Sequence, residues 1–92
     1  MRTLIIAEAG STHDGSLDNA KALVRAAQEA GADACKFQWW SSADRLAERR
    51  RSGQHYRDIY ARYQMSREWL GTLKAECDSA GLMFMSTCYL PE

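Results

Sequence analysis

The chain has 92 residues, with 12 basic and 12 acidic side chains, and is 46% hydrophobic. This length allows one small domain and is too short for a closed eight-stranded α/β barrel, which needs roughly 250 residues. The balanced charge gives no general attraction to nucleic acid or to anionic membranes, and three cysteines without a C-x-x-C pair argue against a disulfide scaffold and a structural zinc site.

The first predicted element is a strand over residues 3–9, with Glu8 near its end. Its apolar run is too short for a signal peptide or a membrane span, so a cytoplasmic protein is expected. The glycines of the following turn, residues 10–15, permit close approach to a ligand. Within it, His13 and Asp14 are candidates for an acid/base pair or metal ligands, although a turn role for Asp14 is the favoured interpretation.

The next two elements are a helix that begins after Ser16 and ends before Gly31, and a strand over residues 34–40. Ser16 is a suitable N-cap, and the helix has an apolar stripe at helical spacing: Leu17, Ala20, Leu23, Val24 and Ala27. In the strand, Lys36 and Gln38 are two residues apart and share one face, whereas the other face takes Cys35, Phe37 and Trp39.

A polar, arginine-rich insert follows at residues 41–65 and is predicted to lie above the strand ends and to contain some helix. We interpret its arginines as a solvated face; attraction of an anionic partner is the alternative. Trp39 and Trp40, just before it, either stack on a sugar ring or line the core. A second main helix then runs from a Ser66 cap to Gly81, and a third strand, residues 82–90, contains Thr87 and two methionines expected in the core, Met83 and Met85.

The order strand, helix, strand, helix, strand favours a parallel α/β sheet with right-handed crossovers. Ligands of such sheets bind at the carboxyl ends of the strands, where this sequence has Glu8, Lys36, Gln38 and Thr87. The conservative alternative is that Glu8 and Lys36 simply pair across neighbouring strands. A functional Lys36 would meet an anionic group or form a Schiff base with a carbonyl, and its position does not separate these two uses.

Six segments of the chain form a recognisable pattern when taken together. They are Ile5-Ile6-Ala7-Glu8-Ala9-Gly10, His13-Asp14-Gly15-Ser16-Leu17, Ala30-Gly31-Ala32-Asp33-Ala34-Cys35-Lys36-Phe37-Gln38, Ser66-Arg67-Glu68-Trp69-Leu70, Gly81-Leu82 and Met85-Ser86-Thr87. Together they resemble the start of the sialic acid (N-acetylneuraminate, nonulosonic acid) synthase family. The resemblance covers nearly the whole chain except the insert. It implies a single incomplete segment, residues 1–92, of a (β/α)8 TIM barrel, with about three strands and two main helices.

The resemblance also implies a reaction, the condensation of phosphoenolpyruvate with an N-acetylated hexosamine such as N-acetylmannosamine. By the same resemblance, Lys36 and Thr87 are expected to contact phosphoenolpyruvate, whereas Glu8 and Gln38 contact the sugar, with Glu8 as the catalytic candidate. A divalent metal, Mn²⁺ or Mg²⁺, is implied, with its ligands outside this chain. The expected macromolecular partner is a second copy or the remainder of the barrel.

Two departures from the family pattern stand close to the expected site. Thr12-His13 replaces the usual Asn-His, and Cys88 follows Thr87 where the family commonly has proline. Two alternatives remain open. One is a non-catalytic folding or assembly module, which self-associates or pairs with a carboxyl-terminal partner because a three-stranded sheet exposes its edges. The other is a different lyase or isomerase on a βα barrel.

Overall fold

The structure, a computed structural model, describes residues 3–51 and 53–88. Three strands form one parallel sheet in the order β1-β2-β3, so the predicted fold, part of an α/β barrel, is confirmed. The elements in chain order are β1 Ile6–Gly10, α1 Leu17–Glu29, β2 Ala34–Trp39, α2 Ala43–Arg49, α3 Gln54–Arg62, α4 Arg67–Ala80 and β3 Met83–Cys88.

Helix α1 has the predicted cap and the predicted buried stripe. The hydroxyl of Ser16 accepts a hydrogen bond from the backbone N–H of Asn19 at 3.2 Å, which satisfies one of the unpaired amides of the first turn. Ala20, Val24 and Ala27 are buried against the sheet. These small and branched side chains let the helix lie close to β1 and β2.

Helix α4 also lies where the sequence predicts it, with a different interaction at its start. Ser66 occupies the N-cap position, but its hydroxyl hydrogen bonds to the Glu68 carboxylate and caps no backbone amide. At the other end, Gly81 has the left-handed φ of +73° that favours glycine. The backbone N–H of Leu82 then bonds to the Cys77 carbonyl at 2.8 Å and leads the chain into β3.

The insert forms two short helices, α2 and α3, that are fixed to the end of β2. The indole N–H of Trp40 donates to the Tyr60 carbonyl at 2.9 Å, and that of Trp39 donates to the Met65 carbonyl at 3.1 Å. Leu46 packs with Trp40 in a small core of its own. The insert is therefore packed against the end of β2 as part of the fold.

Helices pack against one face of the sheet, and the two faces therefore differ in burial. We call the face against α1 and α4 the outer face; it carries Cys35, Phe37 and Trp39, all buried. The opposite, inner face includes the row Ile6, Ala34 and Met83, which are register partners across the three strands. The expectation that Met83 belongs to the core is wrong for this chain, because the side chain lies on the inner face and is 53% exposed; Met85 is half-buried.

Candidate functional site

The four predicted site residues converge at the carboxyl end of the inner face. Lys36 is the register partner of Glu8, and Gln38 is the register partner of Thr87. Register partners on neighbouring strands project to the same side, as do residues two apart along one strand. The structure therefore brings all four side chains onto one face, in two successive rows.

Glu8 and Lys36 form the pair that the sequence allowed as a conservative alternative. The Nζ of Lys36 lies 3.9 Å from Oε2 of Glu8, and the two side chains are 35% and 53% exposed, lysine first. An ion pair this open contributes about 0–1 kcal/mol to folding. The ion pair therefore adds too little stability to explain why a lysine stands within a strand. The ammonium group of Lys36 and the carboxylate of Glu8 both remain accessible to a ligand.

Gln38 is held by the turn that follows β1. The hydroxyl of Ser11 donates to Oε1 of Gln38 at 3.1 Å. Gly10, at a φ of +55°, lies between Gln38 and Glu8, and a Cβ there would stand 3.5 Å from the Glu8 carboxylate. That distance is an ordinary contact, so the left-handed φ rather than lack of space favours glycine here. The register of β1 against β2 shifts between Glu8 and Gly10.

Thr87 is half-buried in β3, beside Gln38. Its neighbour Ser86 is the register partner of Phe37, a residue of the outer face, so Ser86 is separated from the inner-face groups despite its place in the sequence. The third strand was predicted to extend to residue 90; residues 89 and 90 lie outside the described residues.

The turn after β1 does not form the acid/base pair considered from the sequence. His13 is fully buried, and its Nδ1 accepts the Gly15 N–H at 3.0 Å. Burial lowers the pKa of this imidazole, which the charge of Asp14 offsets in part, so the ring is neutral near pH 7. Asp14 instead accepts a hydrogen bond from the Nε of Arg62 at 2.8 Å, which lowers the pKa of its carboxyl.

A cavity that sequence reasoning missed lies between this turn and the end of α3. We call it the rim cavity; it measures about 330 Å³ and is lined by Ser11, Thr12, Asp14 and Tyr63. Its walls come from segments about 50 positions apart, joined by the Asp14–Arg62 pair. No local pattern in the sequence indicates which end of the insert would meet the turn.

Trp39 and Trp40 are unavailable for stacking on a sugar. Each side chain is 5% exposed, and each indole N–H is bonded to a backbone carbonyl of the insert. The ring of Trp39 has the Arg67 guanidinium 5.4 Å from its centre. Of the two predicted roles, the structure selects the core.

The cysteines are buried thiols or lie outside the inner-face group. Burial raises the pKa of Cys35 to about 11, and that of Cys77 is also raised, so neither is a thiolate at neutral pH. Within residues 3–51 and 53–88, no group of three His, Cys, Asp or Glu side chains could hold a metal ion. The same part of the chain contains no helix long and apolar enough to cross a membrane.

The sequence of this chain is similar to those of several known synthases. N,N'-diacetyllegionaminic acid synthase of Legionella pneumophila is 38% identical over 98 positions, which cover 95% of this chain and 27% of that protein. Human N-acetylneuraminate-9-phosphate synthase is 59% identical over 34 residues, 37% of this chain and 10% of that protein. The chain spans about a quarter of the length of the curated relatives that it matches over nearly all of its own length.

The fold has a counterpart among solved structures. The N-acetylneuraminic acid synthetase of Leptospira borgpetersenii, crystallised with citrate, superimposes with a TM-score of 0.83 over 97% of this chain and 30% of that chain, at 24% identity, which shows the shared fold. The NeuB family matches residues 23–92, more than half of the sequence. The resemblance to sialic acid synthases is thereby confirmed, and this chain belongs to the NeuB family.

Proposed function

We propose that this chain is the amino-terminal part of a synthase that condenses phosphoenolpyruvate with an N-acetylated hexosamine, such as N-acetylmannosamine, to give a sialic acid-type nonulosonic acid and phosphate. The observation that carries the proposal is the convergence of Glu8, Lys36, Gln38 and Thr87 at the carboxyl end of the inner face. Family membership and the names of the relatives support it.

The polar groups of the inner face suit the two substrates. An ammonium group such as that of Lys36 neutralises a phosphate or a carboxylate, and Thr87 adds a hydroxyl from the next row, so these residues are assigned to phosphoenolpyruvate. Glu8 and Gln38 have oxygen acceptors for sugar hydroxyls. Without substrate, Glu8 compensates the charge of Lys36 at 3.9 Å; bound phosphoenolpyruvate takes over that compensation and releases Glu8 to the sugar.

The proposed reaction forms one carbon–carbon bond and breaks one carbon–oxygen bond. C3 of phosphoenolpyruvate attacks the aldehyde carbon of the open-chain sugar, and the aldehyde oxygen takes up a proton. Water adds to the resulting cation at C2 and loses its protons, and phosphate leaves with the electrons of the C2–oxygen bond, which leaves a ketone. A fixed positive charge at the phosphate favours its departure, which is the contribution assigned to Lys36.

A divalent metal, Mn²⁺ or Mg²⁺, belongs to the proposal because the resemblance implies it; as a Lewis acid it would polarise the aldehyde. The described residues do not fit it, since they contain no group of three ligands and the buried His13 uses Nδ1 for Gly15. This part of the chain therefore supplies substrate contacts without a complete metal site.

The test is phosphate release from phosphoenolpyruvate and N-acetylmannosamine by the full-length protein that carries this segment. Lys36→Ala is expected to raise the KM for phosphoenolpyruvate at least tenfold, because the ammonium group is lost from the anion site. Lys21→Ala is the matched control: Lys21 pairs with Glu76 at the same 3.9 Å and at similar exposure, away from the inner face.

Two results with the full-length protein would contradict this proposal. One is an unchanged KM in Lys36→Ala, and the other is no phosphate release by the full-length protein with any N-acetylated hexosamine. The isolated 92-residue chain is expected to release no phosphate, because the described residues supply no complete metal site. Turnover by that isolated chain would therefore also contradict the assignment.

One observation favours the second candidate, a folding or assembly module. Large apolar side chains stand exposed at the amino-terminal end of the sheet: Leu4, Ile5, Ile6 and Met83. Such a surface favours burial against a second copy or against the remainder of a barrel. On this alternative the isolated chain forms a homo-oligomer in size-exclusion chromatography and the full-length protein shows no synthase activity.

The names of the relatives leave one property of the acceptor sugar undecided. The Legionella protein is named for a product without phosphate, whereas the human protein is named for a 9-phosphate. A synthase of this family can therefore be named for either form. Which one this chain serves depends on the groups that would surround the far end of the sugar.

A further inference from the structure

His13 is a fully buried polar side chain to which the proposed reaction assigns no role. Its backbone carbonyl accepts hydrogen bonds from the Ser16 N–H at 3.0 Å and from the side-chain amide of Asn19 at 3.3 Å, which ties the residue to the start of α1. Its ring packs edge-on to Tyr63 and Trp69, with 6.5 and 5.7 Å between ring centres. The β1 turn, the end of α3 and the first turn of α4 therefore meet at this imidazole.

The contacts of the ring fix which of its nitrogens carries the proton. Nδ1 of His13 accepts the Gly15 N–H at 3.0 Å, so the proton of the neutral imidazole is on Nε2. Nε2 is buried and has no hydrogen-bond partner among residues 3–51 and 53–88. Within this part of the chain, the ring is thus held by one hydrogen bond, which it accepts at Nδ1.

Histidine is an unfavourable residue for filling this space alone. A buried donor that the described residues leave unpaired costs free energy, and a phenylalanine ring of similar size would pack against Tyr63 and Trp69 without that cost. A phenylalanine ring would not accept the Gly15 N–H. The hydrogen bond from Gly15 to Nδ1 is therefore what distinguishes His13 from an apolar ring at this position.

This hydrogen bond lies between two contacts that connect the turn to the rest of the site. On one side, Gly15 is packed so closely against the Arg62 carbonyl that a Cβ on the glycine would stand 2.8 Å from it. On the other side, Ser11 donates to Oε1 of Gln38 at 3.1 Å. The Nδ1 atom of His13 thus fixes the turn between its contact with α3 and its contact with β2.

The short segment between Ser11 and His13 transmits this constraint. Thr12, the one residue between them, donates to the Ala9 carbonyl with its backbone N–H at 3.1 Å and with its hydroxyl at 2.7 Å. Its backbone therefore has little freedom to absorb a shift of His13. A displaced His13 would move Ser11 and, with it, the hydroxyl that holds Gln38.

We propose that His13 is a positioning residue, whose Nδ1 accepts the Gly15 N–H and so fixes the β1 turn in the shape in which Ser11 holds Gln38 for the acceptor sugar. This inference rests on the proposed function, which assigns Gln38 to the sugar. His13 acts through the turn and contacts neither substrate.

A selective effect on the sugar follows from this arrangement. Lys36 and Thr87, which are assigned to phosphoenolpyruvate, stand on β2 and β3 and take their positions from the strand pairing. Loss of the Nδ1 acceptor should therefore change the KM for the sugar more than the KM for phosphoenolpyruvate. A residue that only stabilised the fold would affect both substrates alike.

The experiment compares His13→Phe with His13→Asn in the full-length protein, because these variants separate the ring from its acceptor. Phenylalanine keeps the ring, whereas Oδ1 of asparagine stands where Nδ1 stood and accepts the Gly15 N–H. His13→Phe is expected to raise the KM for N-acetylmannosamine about fivefold and that for phosphoenolpyruvate less than about twofold. His13→Asn should keep both within about twofold of the wild type. His55→Phe is the matched control and should change neither, because His55 is exposed and its ring contacts Tyr56 on its own helix.

Amide hydrogen exchange of the same full-length proteins gives a second measurement, which does not depend on turnover. In His13→Phe the amides of residues 10–16 should exchange about tenfold faster, because the Gly15 N–H has lost its acceptor. In His13→Asn and His55→Phe they should exchange as in the wild type. If the wild type releases no phosphate with any N-acetylated hexosamine, the proposed function fails, while the exchange rates still decide whether His13 fixes the turn.

Three results would overturn the inference. They are unchanged exchange of the turn in His13→Phe, an unchanged KM for the sugar in that variant, and equal rises in the KM values of the two substrates. Should His13→Phe not fold, Ser11→Ala replaces it, because this change removes the hydroxyl that reaches Gln38 and leaves the imidazole in place. Ser11→Ala is expected to raise the KM for the sugar about threefold with that for phosphoenolpyruvate unchanged, and an unchanged KM for the sugar overturns the inference.

Discussion

The outer and inner faces of the sheet differ in how much of each is buried. On the outer face, Phe37 is fully buried under the helices of this chain and stacks on Phe84 with 6.3 Å between ring centres. On the inner face, Met83 is exposed at one end and Lys36 is accessible at the other. The helices of this chain therefore bury the outer face. The inner face stays exposed, because none of the described residues covers it.

The largest effect is expected for Phe37→Ala on the outer face. Removing a fully buried aromatic ring leaves a cavity, and the free energy of unfolding should fall by about 3–5 kcal/mol. Chemical denaturation of the 92-residue chain, followed by circular dichroism, measures the change. A loss below about 1 kcal/mol would mean that the outer face is not the packed core of this chain.

The next effect tests whether the turn above the sheet is fixed to the insert. Gly15→Ala should cost about 2–4 kcal/mol, because its Cβ would meet the Arg62 carbonyl and its φ of +73° disfavours alanine. Gly31→Ala controls for the backbone, since Gly31 has a φ of +80° and nothing within 4 Å of a Cβ. Equal losses in the two variants would argue that the turn and α3 are not in contact.

A smaller effect is expected from pH, through His13. Burial lowers its pKa below the ordinary 6.5, so the unfolded chain binds the proton first as the pH falls. The stability from the neutral ring is therefore complete above pH 6.5 and is lost below it, by at most about 1.4 kcal/mol per pH unit. His13→Gln should flatten the unfolding free energy between pH 7.5 and 5. Parallel curves for His13→Gln and the wild type would contradict this.

The smallest effect is expected for Met83→Ala on the inner face. In the isolated chain an exposed side chain contributes little, and the change should stay within about 0.5 kcal/mol. In the full-length protein the same substitution should cost about 2–5 kcal/mol if the face is covered there. A large loss already in the isolated chain, at a concentration where it is a monomer, would show that the inner face packs within this chain.

Local patterns predicted the framework of the molecule. Ser16 caps α1, Gly81 ends α4, and the alternation along β2 places Lys36 and Gln38 opposite Phe37. Each depends on residues a few positions apart, where spacing and backbone preference decide the outcome. The convergence of Glu8 and Thr87 with them also followed, because parallel strands align their carboxyl ends.

The rim was not predictable in the same way, because its contacts join distant residues. The Asp14–Arg62 pair spans 48 positions, and the Trp39–Met65 hydrogen bond spans 26. Single-sequence patterns carry no signal for such partners. The exposure of Met83 was missed for a related reason: a methionine in an apolar strand implies burial, while the element that would bury it is not among the described residues.

The docking of the insert through tryptophan side chains has a spectroscopic consequence. The chain has three tryptophans, and two of them, Trp39 and Trp40, are buried and have indole N–H groups bonded to the insert. Trp69, the third, lies edge-on to His13 beneath the same region. Intrinsic fluorescence therefore reports chiefly on this rim, and a red shift of the emission that precedes the loss of circular dichroism would mark undocking of the insert before the sheet unfolds.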